Sequence, residues 1–182
     1  MKDGILLAED SKDDAYLIQR AFNREGWESE LQVVRDGVEA IEYLEGAGRY
    51  ANRSRFKFPD LLLLDLKMPF GDGFQVLGWV KSKPDLRNLP VVILSDCDFV
   101  EEVNKAHRLG AHSYFVKTRD FRDAVKFCLA MYQYSLAVKE HLDAKMPAPV
   151  WPSSFGFNPL ARNLTEQPCF PRCRGTHLAT GK

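Results

Sequence analysis

The stretch LLLLDLKMP, residues 61–69, sets four leucines in a row directly before an acidic residue and a loop that ends in proline. A run of four aliphatic residues has no polar face and is too short for a helix of ordinary length. It reads as a strand buried on both sides, as in a parallel sheet covered by helices. The same signature recurs on either side of it. ILLA at 5–8 runs into Glu9 and Asp10, VVIL at 91–94 into Ser95, and SYFV at 113–116 into Lys117, while residues 31–35 make a further short apolar run.

Amphipathic segments separate these runs. Residues 11–25 place Ala15, Leu17, Ile18, Ala21 and Phe22 at helical spacing. Asp36-Gly37 turns the chain into a second helix whose inner face is expected to include Val38, Ile41 and Leu44. Residues 74–81 read as a third helix, 99–109 as a fourth closed by Gly110, and 121–142 as a long last one. Residues 46–58 read as a long basic loop, solvated in the simpler reading and a contact for an acidic partner in the other. The order is βαβαβαβαβα. Short connections and right-handed crossovers turn that order into an α/β fold with a doubly wound parallel sheet. In such a sheet the carboxyl ends of the strands share one edge, where ligands bind. Glu9, Asp10, Asp65, Ser95 and Lys117 are therefore expected to converge there.

Composition narrows the function classes. The 182 residues hold 25 Lys+Arg and 25 Asp+Glu, so no bulk positive charge argues for nucleic acid. The N-terminal MKDGILLAED lacks the apolar length and cleavage site of a signal peptide. No run approaches the roughly 18–20 apolar residues that cross a bilayer. The four cysteines show no framework spacing. These features predict a cytoplasmic protein with no membrane or nucleic-acid partner. Six of the ten prolines fall between 147 and 171, so residues 1–145 read as the folded domain and 146–182 as a flexible tail. Cys169, Cys173 and His177 in that tail are one ligand short of a closed zinc site.

The converging residues suggest a chemistry. Adjacent carboxylates at Glu9 and Asp10 beside Asp65 repel one another in a half-buried site, and a hard dication such as Mg²⁺ relieves that repulsion. Asp65 stands alone at its strand end and can act as a nucleophile forming an acyl phosphate. Ser95 and Lys117 can then hold the phosphoryl oxygens. Asp10 and Asp36 can each be read as helix caps, and Asp13-Asp14 as acids favoured by the dipole of a first helical turn, without chemistry.

Glu9-Asp10, LLLLDLKMP followed by Asp72-Gly73, Ser95 and Lys117, in this order and spacing, resemble the response-regulator receiver domain over about residues 3–143. The long loop at 46–58 and DLKMPFGDGF look most like the small, stand-alone phytochrome-associated regulators. The resemblance implies a flavodoxin-like sheet of order 2-1-3-4-5 with helices on both faces. It implies Asp65 as phosphoacceptor, and Mg²⁺ held by Asp10, Asp65 and the backbone carbonyl of Lys67, with Glu9 acting through water. Ser95 and Lys117 would bind the phosphoryl group, and Ser95 with Tyr114 would form the switch. The partners implied are a histidine kinase, with a phytochrome-type kinase as one option, and a downstream protein that reads residues 98–130. A homodimer is a further option. Output would come through protein contacts, and the chain would be no enzyme beyond self-catalysed transfer and dephosphorylation. Two positions depart from the family: Thr118 follows Lys117 where proline is usual, and Asp96 follows Ser95 where a small residue is usual. They favour an alternative, a pseudo-receiver that binds proteins without phosphorylation. An aspartyl-phosphate phosphatase would need a second aspartate where Lys67 stands.

Overall fold

The computed structural model describes residues 4–25, 31–117, 125–126, 128–130 and 133. The expected last helix at 121–142 falls largely outside the described residues. Thr118, the 146–182 segment and the trio Cys169, Cys173 and His177 lie outside them altogether.

Five strands, β1 (Gly4–Ala8), β2 (Leu31–Val34), β3 (Pro59–Asp65), β4 (Val91–Ser95) and β5 (Ser113–Val116), alternate with α1 (Lys12–Arg24), α2 (Gly37–Glu45), α3 (Gly73–Ser82) and α4 (Val100–Arg108). All pairings are parallel and the order is β2-β1-β3-β4-β5, the flavodoxin-like arrangement expected. All seven residues of the central β3 are buried, as its unbroken leucine run requires. Among the described residues no helix is long and apolar enough to cross a membrane.

Local chemistry sets the helix boundaries. Ser11 caps α1 by accepting from the Asp14 N–H, Asp36 caps α2 through the Glu39 N–H, and Asp72 caps α3 through the Gln75 N–H. Asp10 is therefore not a cap. Gly46, at φ 70°, closes α2 in the left-handed conformation.

Two expectations are corrected. Val38 is 52% exposed, because α2 turns Gly37, Ala40, Tyr43 and Leu44 inward. Gly37 has to face in: a Cβ there would lie 2.1 Å from the Gly71 carbonyl oxygen, so the helix phase carries Val38 outward. Ile41 does pack against the core. The basic loop, in turn, is packed rather than merely solvated. It contains a 3₁₀ turn (Gly48–Tyr50), buries Tyr50 against Tyr43 and Phe56, ties Arg53 to the Leu44 carbonyl at 2.7 Å and pairs Arg49 with Glu39.

Candidate functional site

Strand register brings the polar residues to one edge. Ala8 pairs with Leu64, Asp65 with Leu94, and Ser95 with Val116. Glu9, Asp65, Ser95 and Lys117 thus fall at or just beyond the carboxyl ends of four neighbouring strands. The Glu9 N–H donates to the Val34 carbonyl at 3.0 Å and the Lys117 N–H to the Ser95 carbonyl at 2.7 Å, so backbone bonds hold both side chains in place. Arg35, unnoticed in the sequence, adds guanidinium bonds to the carbonyls of Glu9 (3.3 Å) and Ser11 (3.4 Å).

The Lys117 ammonium is the centre of the cluster. Its Nζ lies 2.7 Å from Glu9 Oε2, 3.1 Å from Asp65 Oδ2 and 3.1 Å from Asp14 Oδ2. The contact with Asp14 has hydrogen-bond geometry, and those with Glu9 and Asp65 are ion pairs. The second oxygen of Glu9 accepts from the Ser11 N–H at 3.1 Å and that of Asp65 from the Lys67 N–H at 3.2 Å. The Asp14 carboxylate is a finding that helical reading missed. It occupies the first turn of α1, as the dipole favours, yet it also reaches Lys117. Its spacing gave no signal: three residues after the capping Ser11, it reads as an ordinary first-turn acid.

Burial dominates the electrostatics. Glu9 is fully buried and Asp65 3% exposed. Desolvation raises the Glu9 carboxyl to about 7 against the opposing bond from Lys117. It raises Asp65 too, opposed chiefly by the charge of Lys117. For Lys117, burial works against the charged form, but the three carboxylates outweigh it and hold the ammonium above its ordinary range. One carboxylate oxygen each from Glu9, Asp10 and Asp65 lie within 4.8 Å of one another. Oxygen donors this close, two of them desolvated with only one lysine shared between them, suit a hard divalent cation.

The remaining expected residues lie around this centre. Ser95 is fully buried and its Oγ accepts from the Cys97 N–H at 3.2 Å. Tyr114 is turned inward, 3% exposed, with its hydroxyl donating to the Cys97 carbonyl at 2.7 Å. Burial, with smaller contributions from Glu102 and Cys97, pushes that phenol up to about 12. Ser95 and Tyr114 therefore meet through the backbone of one residue, Cys97. The Lys67 side chain and Asp96 are exposed. Phe70, in the loop after β3, holds φ 50° and is 77% exposed, and its carbonyl accepts from the Val38 N–H at 3.0 Å.

Comparison with known proteins agrees with this geometry. Residues 5–128 match the response regulator receiver domain. The chain is 38% identical over 122 residues to response regulator Rcp1 of Synechocystis sp. (strain ATCC 27184 / PCC 6803 / Kazusa), covering 67% of this chain and 81% of that protein. It is 30% identical over 129 residues to sporulation initiation phosphotransferase F of Bacillus subtilis (strain 168), covering 69% and 93%. The Mn²⁺-bound structure of Rcp1 superposes with a TM-score of 0.61 at 32% identity, over 83% of this chain and 99% of that one. The phosphorylated cyanobacterial phytochrome response regulator RcpA superposes at 0.60 and 33% identity, over 82% and 100%. With the fold, the strand-end acids and the sequence match in agreement, the chain belongs to the response regulator receiver domain family, signalling proteins of two-component systems.

Proposed function

We propose that Asp65 accepts a phosphoryl group from a histidine kinase and that this phosphorylation switches the contacts the protein makes. The observation that carries the reading is the buried Asp65 carboxylate held 3.1 Å from the Lys117 ammonium, beside Glu9 and Asp10. An Asp65 oxygen attacks the phosphorus as the bond to the donor's imidazole nitrogen breaks, and the imidazole leaves with the electron pair and takes up a proton. Lys117 balances the charge on the transferred oxygens. Mg²⁺, when bound by Asp10, Asp65 and the Lys67 carbonyl with Glu9 through water, supplies charge neutralisation at the phosphoryl group.

Ser95 then turns its hydroxyl from the Cys97 N–H toward a phosphoryl oxygen. That loosens the loop to which Tyr114 is also tied, and a downstream protein reads the change on the 98–130 face, where Phe99 and Val100 are 67% and 65% exposed. Likeness to the phytochrome regulator RcpA supports a phytochrome-type kinase as donor. A homodimer and a cytoplasmic location fit the same reading, with residues 1–145 as the receiver and 146–182 as its tail.

The test is intact-protein mass after incubation with acetyl phosphate, with and without Mg²⁺, for wild type and Asp65→Ala. A Mg²⁺-dependent gain of one phosphoryl group that Asp65→Ala abolishes is the expected result. A folded wild type that gains nothing overturns the reading in favour of a phosphorylation-independent binding module.

A further inference from the structure

Four residues close a ring around one side of the site. The Ser11 N–H donates to Glu9 Oε1, the Asp14 N–H donates to Ser11 Oγ, Lys117 Nζ donates to Asp14 Oδ2, and the same Nζ returns to Glu9 Oε2. Asp14 is thereby held by its own backbone as well as by its carboxylate, and it reaches the lysine across a separation of 103 residues.

The three carboxylates on Lys117 are not equivalent. The Glu9 and Asp65 side chains are 0% and 4% exposed, whereas Asp14 is 29% exposed. A buried carboxylate that loses its ammonium has no solvent to take its place. A partly exposed one takes water in exchange, at small cost. As an Asp65 oxygen bonds to phosphorus its carboxylate charge passes to the phosphoryl oxygens, which draw the ammonium outward and strain its contacts with Glu9 and Asp14. Asp14 is the partner that yields most cheaply.

We infer that Asp14 is a positioning residue for Lys117, parking the ammonium among three carboxylates at rest and releasing it to the phosphoryl group during transfer. The inference rests on the reading of Asp65 as phosphoacceptor and adds to it the contact that governs how readily the lysine is delivered. At rest the ammonium is shared, 3.1 Å from Asp14 Oδ2 on one side and 3.1 Å from Asp65 Oδ2 on the other. Removing the Asp14 charge leaves Lys117 released in advance, and transfer is then faster, not slower.

The experiment measures the rate of phosphoryl gain from acetyl phosphate at saturating Mg²⁺ by intact mass, on the full chain. The proteins are wild type, Asp14→Asn, Asp14→Glu, and Asp14→Asn combined with Lys117→Ala and compared with Lys117→Ala alone. Asp14→Asn keeps the backbone N–H that Ser11 caps, and the fold of each variant is checked by circular dichroism. The expected acceleration in Asp14→Asn is about two- to fivefold, the rate equivalent of one partly exposed ion pair. Asp14→Glu restores the carboxylate and with it the slower wild-type rate. Without Lys117 the Asp14→Asn acceleration disappears. Unchanged or slower transfer in Asp14→Asn overturns the inference, as does an acceleration that persists without Lys117, since either result denies that Asp14 acts through the lysine. A wild type that takes no phosphoryl group at all is the separate failure, that of the proposed function.

Discussion

Lys117 and Asp65, each at the end of its own strand, meet with Nζ and Oδ2 3.1 Å apart, and the same ammonium lies 2.7 Å from the fully buried Glu9. This lysine therefore neutralises two desolvated carboxylates at once. Removing it strands both.

Lys117→Met is expected to lower stability by about 3–5 kcal/mol at pH 8, the usual cost of leaving a buried charge unpaired. The loss shrinks below pH 7, where Glu9 takes a proton instead. Urea unfolding at pH 8 and pH 5.5, in EDTA, measures both values. An equal loss at the two pH values would contradict the pairing with Glu9.

Glu9 itself makes stability depend on pH. Its folded pKa is about 7 against an ordinary 4.5, so the folded state binds the proton more tightly than the unfolded state does. That contribution is complete below 4.5 and is lost as pH rises to 7, by up to about 3 kcal/mol without a divalent cation. Urea unfolding in His112→Asn, where no opposing titration at position 112 remains, should show this decline. Added Mg²⁺ should restore most of the stability at pH 8 and little at pH 5.

His112 runs the other way. Burial, helped by the charge of Lys81, lowers its pKa from 6.5 to about 4, and its Nδ1 accepts from the Val91 N–H at 3.1 Å. Its contribution is present above 6.5 and lost as pH falls to 4, again by about 3 kcal/mol. The two windows overlap with opposite sign, so between pH 4.5 and 6.5 His112 should offset part of the decline due to Glu9 in urea titrations. Glu9→Gln should unmask a steep rise across that range.

Two glycines of α3 should respond oppositely to alanine. A Cβ at Gly73 would sit 2.2 Å from the Asp65 carbonyl oxygen and 2.8 Å from the Leu66 Cα, both backbone atoms. Gly73→Ala should then destabilise by about 1–3 kcal/mol and slow phosphoryl gain at Asp65 by displacing its strand end. Nothing lies within 4 Å of a Cβ at Gly78, so Gly78→Ala should stabilise by about 0.5–1 kcal/mol through helix propensity alone. Thermal melts of both variants, with acetyl phosphate labelling of the first, check the pair.

Much of this molecule is decided locally, and so was legible in the sequence. The leucine run at 61–64 has no polar face, which forces a strand covered on both sides. Parallel strands then place the polar residues that end each run at one edge, and that reasoning alone brings Glu9, Asp10, Asp65, Ser95 and Lys117 together. Capping by Asp36 and closure at Gly110 are likewise matters of a few neighbouring residues. Tertiary structure alone decided the rest, because the contacts concerned cross long stretches of chain. The phase of α2 is set by Gly37 meeting the Gly71 carbonyl, which turns Val38 out and Tyr43 in. The basic loop at 46–58 is held by Tyr50 against Tyr43 and Phe56, a packing that charge patterning conceals. Asp14 reads as an ordinary first-turn acid until β5 delivers Lys117 to it. Periodicity shows which face of an element is apolar, whereas the partner of a polar side chain depends on which distant strand end the fold sets beside it.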